Sequence, residues 1–202
     1  MSSQFVPEPG MIVLVRHGQT EWSRNGRHTG RTDLPLDDGG REAAAVVGDR
    51  LRGDAGFSSG GFASVLVSPL RRAADTCTIA GFGAEARTEA SLAEWDYGDY
   101  EGLTTPEIRE RNPGWDLWSD GCPGGESPEE VGARADSALG VIRSAAGEGA
   151  ALVFSHGHFL RVLTARWLGL DASEGRLWAL DPATIGKLGW ERDVAVIRVW
   201  NA

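Results

Sequence analysis

The feature that most constrains the fold of this chain is an apolar run, at residues 11–15, that ends in a polar turn. Arg16, His17 and Gly18 follow the run directly. A short unbroken apolar run predicts a strand that is buried on both faces of its sheet. The polar residues then emerge at the carboxyl end of the strand, which is the edge where open α/β sheets bind their ligands. The segment therefore predicts a ligand site built on an α/β sheet.

The same order of an apolar run and a polar turn recurs twice along the chain. Residues 62–67 form the second run, after which Ser68 is expected to cap a helix whose first turn contains Pro69. The free N–H groups at the start of that helix favour an anion. Residues 151–154 form the third run, and His156 follows it before a further helical segment.

Arginine and histidine side chains stand at all three predicted strand ends, namely Arg16, His17, Arg71, Arg72 and His156. Parallel strands of one sheet place their carboxyl ends at the same edge, so these side chains can converge. A guanidinium group clamps phosphate oxygens bidentately, and a neutral imidazole can attack phosphorus as a nucleophile. Any one of these turns alone could be an ordinary strand-to-loop connection, whereas their repetition predicts a phosphate site.

Helix signals and a closing hairpin surround these strands. Asp37 or Asp38 is expected to cap a helix over about residues 40–51. Ser127 opens the longest predicted helix with a capping box. The last apolar stretch, between residues 185 and 200, is typical of two strands joined by a tight turn. This alternation of strands and helices predicts the α/β class.

Composition bounds the class of protein. A chain of 202 residues with 41% hydrophobic content can bury one core, so a single domain over residues 11–202 is expected after a loose tail at residues 1–10. The formal net charge of −9 argues against a nucleic-acid partner. No apolar run reaches the length of a membrane span. Cys77 and Cys122 do not make a disulfide framework, which is typical of a cytoplasmic protein.

Five motifs in this order resemble those of the histidine phosphatase superfamily, the phosphoglycerate mutase-like proteins. They are Arg16-His17-Gly18-x-Thr20, Thr29-Gly30, Ser68-Pro69-Leu70-x-Arg72-Ala73, Leu92-Ala93-Glu94 with Tyr97-Gly98, and Ser155-His156-Gly157. The segments 27–30, 94–102 and 115–122 are most similar to short bacterial acid phosphatases and to sedoheptulose-bisphosphatase-like members. The resemblance implies a three-layer α/β/α sandwich with a mostly parallel central sheet.

The resemblance, together with the chemistry of phosphate esters, gives the main polar residues their expected roles. His17 is the expected nucleophile, because neighbouring arginines keep its ring neutral. Arg16, Arg72 and His156 are the expected phosphate clamps. Glu94 is the expected acid that protonates the leaving group and then the base that activates water. The resemblance implies no cofactor and no metal ion.

Further residues are expected to bind the phosphate or the rest of the substrate, namely Gln19, Thr20, Ser23, His28, Thr29, Gly30, Tyr97, Gly157 and His158. Ser23 and the Thr29-Gly30 pair are open to a second interpretation as structural turn residues. His28 and His158 are equally compatible with hydrogen-bonded positions behind the substrate. Arg71 is not expected in the site, because the family pattern assigns that role to the arginine directly before Ala73.

The predicted activity is metal-independent hydrolysis of small phosphorylated metabolites, sugar phosphates and bisphosphates among them. Two alternatives remain open, a cofactor-dependent phosphoglycerate mutase and a phosphate-binding pseudoenzyme. Thr105 stands where the resemblance places the lysine of a mutase, which favours the phosphatase. The aromatic segment 96–126, with Trp115 and Trp118, is a candidate lid or a set of packing anchors. The sequence leaves the oligomeric state open, a homodimer included.

Overall fold

The structure, a computed structural model, describes residues 10–53 and 61–202. Within these ranges six strands form one sheet: β1 Ile12–Arg16, β2 Ser64–Val67, β3 Ala86–Thr88, β4 Ala151–Ser155, β5 Ile185–Glu191 and β6 Val194–Val199. The α-helices are α1 Glu21–Arg24, α2 Asp38–Gly53, α3 Arg71–Ile79, α4 Thr105–Arg111, α5 Leu117–Asp120, α6 Pro128–Ala146 and α7 Gly157–Trp167. Shorter 3₁₀ turns cover Ala90–Leu92, Gly98–Tyr100 and Ala172–Leu177. None of the helices in the described ranges is long and apolar enough to cross a membrane.

The strands lie in the order β3-β2-β4-β1-β5-β6. The first four pair in parallel, whereas β5 pairs antiparallel with both β1 and β6. The predicted mostly parallel sheet and the predicted closing hairpin are therefore both confirmed. The register places Arg16 beside Ser155 at the carboxyl ends of β1 and β4, so two of the predicted motifs start side by side. The predicted tail at residues 1–10 lies outside the described residues, apart from Gly10.

Helices cover both faces of the sheet. Along β1, Ile12 and Leu14 pack on the side of α6 and α7, whereas Val13 and Val15 pack on the side of α2 and α3. These four side chains are at most 1% exposed. A central strand of a three-layer sandwich has no face turned to water, which explains why the run at residues 11–15 is apolar throughout.

Capping residues fix where two of the helices begin. Ser127 Oγ accepts the N–H of Glu130 at 3.2 Å and Glu130 Oε2 accepts the N–H of Ser127 at 2.8 Å, so the predicted capping box opens α6. Asp37 Oδ1 accepts the N–H of Gly40 at 2.8 Å. Of the two candidates for the start of α2, Asp37 is therefore the one that caps it.

The predicted start of α3 is wrong. The helix begins at Arg71 after Leu70, whose side chain makes no capping bond, and Ser68 stays outside it with its hydroxyl accepting the N–H of Leu70 at 3.3 Å. The N–H of Arg71 donates to Asp33 Oδ1 at 2.7 Å. A carboxylate of the chain itself therefore occupies the helix start at which the sequence predicts a bound anion.

The aromatic segment at residues 96–126 folds into a wall of short helices beside the carboxyl edge of the sheet. Thr104 and Glu107 form a capping box at the start of α4. Trp115 and Trp118 are 3% and 8% exposed, and both also line the cavity described below. The two predicted interpretations therefore combine, because the same indole rings anchor the wall and form its inner surface.

Both cysteines are buried and unpaired in the part of the chain that the structure describes. Burial raises the pKa of Cys77 and of Cys122 to about 12 in each case. Neither thiol is therefore present as a reactive thiolate at neutral pH. Cys77 packs in the core between α3 and the sheet, as a small apolar residue would.

Candidate active site

A cavity of about 360 Å³ opens beside the carboxyl ends of β1 and β4. The predicted site residues that line it are Arg16, His17, Ser23, His28, Thr29, Glu94, Tyr97, Gly157 and His158. Arg72 and His156 are fully buried behind this lining. Gln19, Thr20 and Gly30 do not line the cavity.

His17 follows β1 directly and its ring is buried in the cavity wall. Its Nδ1 lies 2.7 Å from the carbonyl oxygen of Gly18. A carbonyl only accepts, so Nδ1 carries the proton and Nε2 keeps a free lone pair. Burial, followed by the positive charges of Arg72 and Arg16, lowers the pKa of His17 well below its ordinary value of 6.5. The ring is therefore neutral and nucleophilic at neutral pH.

Arg16 ends β1 and lines the cavity beside His17. Its Nη1 donates to the carbonyl oxygen of Leu180, whereas its buried Nε has no hydrogen-bond partner among residues 10–53 and 61–202. A buried donor without an acceptor destabilises the fold, and a ligand that accepts its hydrogen bond removes this penalty. A Cβ built at Gly157 would lie 3.0 Å from Arg16 Cζ. The glycine of this motif therefore leaves room for the close approach of the guanidinium, which a larger residue would displace by a few tenths of an ångström.

Arg72 holds the loop at residues 29–32 through its guanidinium. Nη2 donates to the carbonyl oxygens of Thr29 and Gly30 at 2.8 and 3.0 Å, and Nη1 donates to that of Thr32 at 3.0 Å. The N–H of Gly30 in turn donates to Glu101 Oε2 at 2.9 Å. Both backbone polar groups of Gly30 therefore have partners within the chain, and its carbonyl oxygen positions Arg72. This supports the interpretation of Gly30 as a structural turn residue.

His156 is held at both ring nitrogens. Arg72 Nε donates to its Nδ1 at 3.1 Å, and its Nε2 lies 2.7 Å from Ser68 Oγ. Burial and the charge of Arg72 lower the pKa of His156 well below 6.5. Its ring centroid is 5.1 Å from that of His17. Three strand ends therefore meet here, as the sequence predicts, but Ser68 contributes a hydroxyl that sequence reasoning did not assign to the site.

Glu94 lines the cavity and contacts the start of α7. Its Oε1 accepts the N–H groups of Trp95 and Phe159 at 2.9 and 2.8 Å, and its Oε2 accepts the N–H of His158 at 3.2 Å. No side chain in the described ranges forms an ion pair with this carboxylate at 4.0 Å or less. Backbone donors therefore fix its position while leaving the carboxyl group free to exchange a proton with a ligand.

His28, Tyr97 and His158 form one hydrogen-bonded part of the wall. His28 Nδ1 donates to the carbonyl oxygen of Leu103 at 2.9 Å, so His28 Nε2 is an acceptor. Tyr97 Oη lies 2.6 Å from His158 Nδ1, and the rings of His28 and His158 are stacked with centroids 6.1 Å apart. Burial lowers the pKa of both histidines. Both histidines are thus hydrogen-bonded to the protein, as the second interpretation predicts, and they also line the cavity, where contact with a substrate is open to them.

Thr20 and Ser23 use their hydroxyl groups to cap α1. The N–H of Ser23 donates to Thr20 Oγ1 at 3.2 Å, and the N–H of Thr20 donates to Ser23 Oγ at 2.8 Å. The carbonyl oxygen of Gln19 accepts the N–H of Asp37 at 3.0 Å. The hydroxyl of Thr20 and the backbone of Gln19 thus have structural partners, and neither residue lines the cavity, whereas Ser23 caps the helix and also lines the cavity. Contacts of these residues with a substrate stay a prediction.

Sequence reasoning missed three arginines that line the cavity, namely Arg27, Arg109 and Arg161. A signal existed for Arg161, which lies one helical turn after His158 and so shares its face of α7. The cavity lining thus carries more arginines than carboxylates, which are Glu94 and Asp116, although the whole chain is acidic. Local charge of this kind attracts anions. In the described part of the chain, no three His, Cys, Asp or Glu side chains group as a metal-ligand set.

Comparisons with known proteins agree with this geometry. The chain is 44% identical over 188 residues to an acid phosphatase from Mycobacterium tuberculosis, with 93% of this chain and 90% of that protein covered. It is 36% identical over 186 residues to sedoheptulose 1,7-bisphosphatase from Saccharomyces cerevisiae, with 80% of this chain and 69% of that protein covered.

Solved structures share the fold over nearly the whole length. The product of an open reading frame from Mycobacterium tuberculosis is 42% identical with a TM-score of 0.87, over 95% of this chain and 96% of that one. A mycobacterial glucosyl-3-phosphoglycerate phosphatase, solved with VO3, is 28% identical with a TM-score of 0.81, over 95% and 99%. The model of one family, the histidine phosphatase superfamily (branch 1), matches residues 12–202. The chain therefore belongs to the histidine phosphatase superfamily.

Proposed function

We propose that this chain is a metal-independent phosphomonoesterase that hydrolyses small phosphorylated metabolites, sugar phosphates and bisphosphates among them, through a phosphohistidine on His17. The observation that carries the proposal is the 2.7 Å bond from His17 Nδ1 to the carbonyl oxygen of Gly18. This bond leaves the Nε2 lone pair of a neutral ring free, beside the unpaired Nε of Arg16. An imidazole in this state is a nucleophile that needs no metal and no separate base.

In the first step, Nε2 of His17 bonds to phosphorus while the bond from phosphorus to the leaving oxygen breaks, and Glu94 donates its proton to that oxygen. Arg16 donates from its free Nε to the phosphoryl oxygens, and the charge of Arg72 behind the lining favours the dianion. In the second step, Glu94 takes a proton from water, the water oxygen bonds to phosphorus and the nitrogen–phosphorus bond breaks. Inorganic phosphate leaves, and neutral His17 and protonated Glu94 are restored.

The names of the relatives support hydrolysis. Three of them are named as phosphatases: an acid phosphatase, a sedoheptulose 1,7-bisphosphatase and a glucosyl-3-phosphoglycerate phosphatase. A probable phosphoglycerate mutase, which represents the alternative, is 30% identical. Thr105 lines the cavity at the position where the resemblance places a mutase lysine. Loss of a charged hydrogen bond to a bound anion costs about 1.5–3 kcal/mol. Residue 105 therefore offers no charged bond of the kind that a mutase lysine gives its bisphosphate intermediate, which favours transfer to water.

Trapping the intermediate tests the proposal. Wild-type protein that is denatured after brief incubation with a phosphate-labelled substrate is expected to carry label that is stable to base and labile to acid. His17→Ala is expected to carry none and to lose turnover by about a thousandfold or more, while circular dichroism shows that it stays folded. Label on another residue, or wild-type turnover in His17→Ala, contradicts the mechanism.

Two further measurements separate the alternatives. EDTA is expected to leave the rate of phosphate release unchanged, and a loss of rate that an added divalent metal restores contradicts metal independence. With 3-phosphoglycerate, release of inorganic phosphate is expected to exceed conversion to the 2-phospho isomer. Faster interconversion than hydrolysis identifies a mutase, and a folded protein that binds phosphate without turnover on any substrate identifies a pseudoenzyme.

A further inference from the structure

The four arginines that line the cavity differ in what balances their charge. Arg16 lies beside His17, and Arg27 forms an ion pair of 3.4 Å with Glu107. Arg109 and Arg161 have no carboxylate within 4.0 Å in the ranges 10–53 and 61–202. Arg16 has no carboxylate within this distance either, but it lies beside the proposed nucleophile, so Arg109 and Arg161 are the unpaired arginines in the rest of the described cavity wall.

Arg161 lies on the same helix as the residues that hold the proposed proton donor. Glu94, the proposed proton donor to the leaving oxygen, accepts the N–H of His158 at 3.2 Å. Arg161 follows His158 by one turn on the same face of α7. Its guanidinium then packs on Trp118 of the aromatic wall, with Cζ 4.4 Å from the ring centroid. Arg161 thus lines the same cavity as Glu94, close enough for the charge of Glu94 to act on it.

The guanidinium of Arg161 is held rigidly. Its Nε donates to the carbonyl oxygen of Gly175 at 2.9 Å, and its Nη2 donates to that of Arg176 at 3.3 Å. A Cβ at Gly175 would lie 2.7 Å from Trp118 Cζ3, so the close packing requires glycine. Nη1 makes no hydrogen bond to the described part of the chain. The guanidinium is therefore held in a fixed orientation before a ligand binds, and its Nη1 can still donate to that ligand.

The surroundings of Arg161 favour an anion. Burial lowers the pKa of Arg161 most, the charges of Glu94 and Tyr97 raise it, and the nearby positive charge of Arg16 lowers it. An arginine remains charged under such conditions, so the desolvation and the repulsion are costs to the unliganded fold. The proposed mechanism needs Glu94 protonated when the substrate binds, and the carboxyl group then carries no charge that could balance Arg161. A bound anion offsets both costs at that stage, because it supplies the missing negative charge.

We propose that Arg161, assisted by Arg109, binds a second anionic group carried by the leaving group of the substrate. The substrate class is then a small phosphate monoester that bears a further phosphate or carboxylate. The cavity of about 360 Å³ limits it to a short carbon skeleton, which lies between the histidine and tryptophan rings of the wall. Thr105 carries no charge, so the second anion is bound by Arg161 of α7 with the assistance of Arg109 of α4, and not by residue 105. This inference rests on the proposed phosphatase activity.

Matched substrate pairs test the inference. Glycerol 3-phosphate and 3-phosphoglycerate differ by a carboxylate, and fructose 1-phosphate and fructose 1,6-bisphosphate differ by a phosphate. In at least one pair, wild-type kcat/KM for phosphate release is expected to be about tenfold to a hundredfold higher for the member with the second anionic group. Arg161→Gln is expected to remove this preference and to change kcat/KM for the other member by less than about threefold.

Two further variants separate charge from packing. Arg161→Lys keeps the charge and is expected to retain a larger preference than Arg161→Gln. Arg143→Gln is the matched control, because Arg143 is stacked on Trp167 at 5.0 Å on α6 and does not line the cavity. Arg143→Gln is expected to leave kcat/KM for both members of each pair unchanged, and thermal unfolding verifies that each variant is folded.

The outcomes distinguish this inference from the proposed function. Equal losses on both members of each pair in Arg161→Gln place the guanidinium on the transferred phosphoryl group and overturn the inference. Absence of a wild-type preference in both pairs overturns it as well, while hydrolysis of nitrophenyl phosphate through His17 leaves the phosphatase proposal intact. Failure to hydrolyse nitrophenyl phosphate and every member of both pairs overturns both.

Discussion

Arg72 and His156 are joined by a hydrogen bond of 3.1 Å from the guanidinium Nε–H to the imidazole Nδ1. An arginine only donates, so His156 is neutral and its Nε2 carries the proton that Ser68 Oγ accepts at 2.7 Å. Within this pair, the positive charge therefore belongs to Arg72. The same guanidinium also fixes the carbonyl oxygens of the loop at residues 29–32, so charge and local structure depend on one side chain.

Replacing this arginine by lysine keeps the charge but removes the fork of donors. We expect Arg72→Lys to lower kcat/KM for nitrophenyl phosphate by about a hundredfold and the free energy of unfolding by about 1–3 kcal/mol, because several buried acceptors lose their donor. Steady-state rates and urea unfolding measure the two effects. Arg71→Lys is the matched control, since Arg71 is 59% exposed and its Nε forms a 3.2 Å ion pair with Asp75. Similar effects of the two substitutions contradict the assignment of Arg72.

Three buried histidines make stability depend on pH. Burial is the main reason why the pKa values of His17, His156 and His158 lie well below 6.5 in the fold. Below about pH 6.5 the unfolded chain therefore binds more protons than the folded one, and the free energy of unfolding decreases as pH falls. Between about pH 7.5 and about pH 5.5, we expect each of these histidines to remove up to about 1.4 kcal/mol.

Urea unfolding at both pH values measures this effect. In His17→Ala the loss between the two pH values is expected to be smaller than in the wild type by up to about 1.4 kcal/mol, because one such histidine is missing. An unchanged free energy of unfolding in the wild type across this range means that the folded histidines titrate normally and contradicts the prediction.

Glu94→Gln tests the proton donor. Glutamine keeps the shape of the carboxyl group but cannot supply or take a proton, and its NH₂ group cannot accept from the N–H of His158. We expect the rate with alkyl phosphates to fall by about a hundredfold or more, and the rate with nitrophenyl phosphate, whose leaving group departs without a proton, by less than about tenfold. Equal losses with both leaving groups would remove Glu94 from the acid role.

Gly157→Ala tests the close approach of Arg16. The added Cβ would lie 3.0 Å from Arg16 Cζ and 3.1 Å from its Nε, so the guanidinium has to move away from the phosphate position. We expect KM for nitrophenyl phosphate to rise by about tenfold, which corresponds to the loss of one charged hydrogen bond. Gly140→Ala on α6 is the control, since nothing lies within 4 Å of its Cβ. It is expected to stabilise the fold by about 0.5–1 kcal/mol at unchanged KM.

The sequence by itself determined the elements whose causes are local. The apolar run at residues 11–15 requires a strand buried on both faces, and Ser127 with Glu130 forms a capping box from residues three positions apart. The order of apolar runs and polar turns likewise predicted that His17, Arg72 and His156 meet at one edge, because parallel strands align their ends.

Only the tertiary structure decided which polar groups remain available to a ligand. The sequence predicts ligand contacts for Thr20 and Gly30. In the structure the hydroxyl of Thr20 caps α1, whereas the N–H of Gly30 donates to Glu101 and its carbonyl oxygen accepts from Arg72. The N–H at the start of α3 meets Asp33, which lies 38 positions away. Arg161 is part of no motif, and the lack of a carboxylate within 4.0 Å of it among residues 10–53 and 61–202 is visible only once its neighbours in space are known. The physical reason is that hydrogen bonds and charges are satisfied between groups that are close in space, whereas sequence patterns record only groups that are close along the chain.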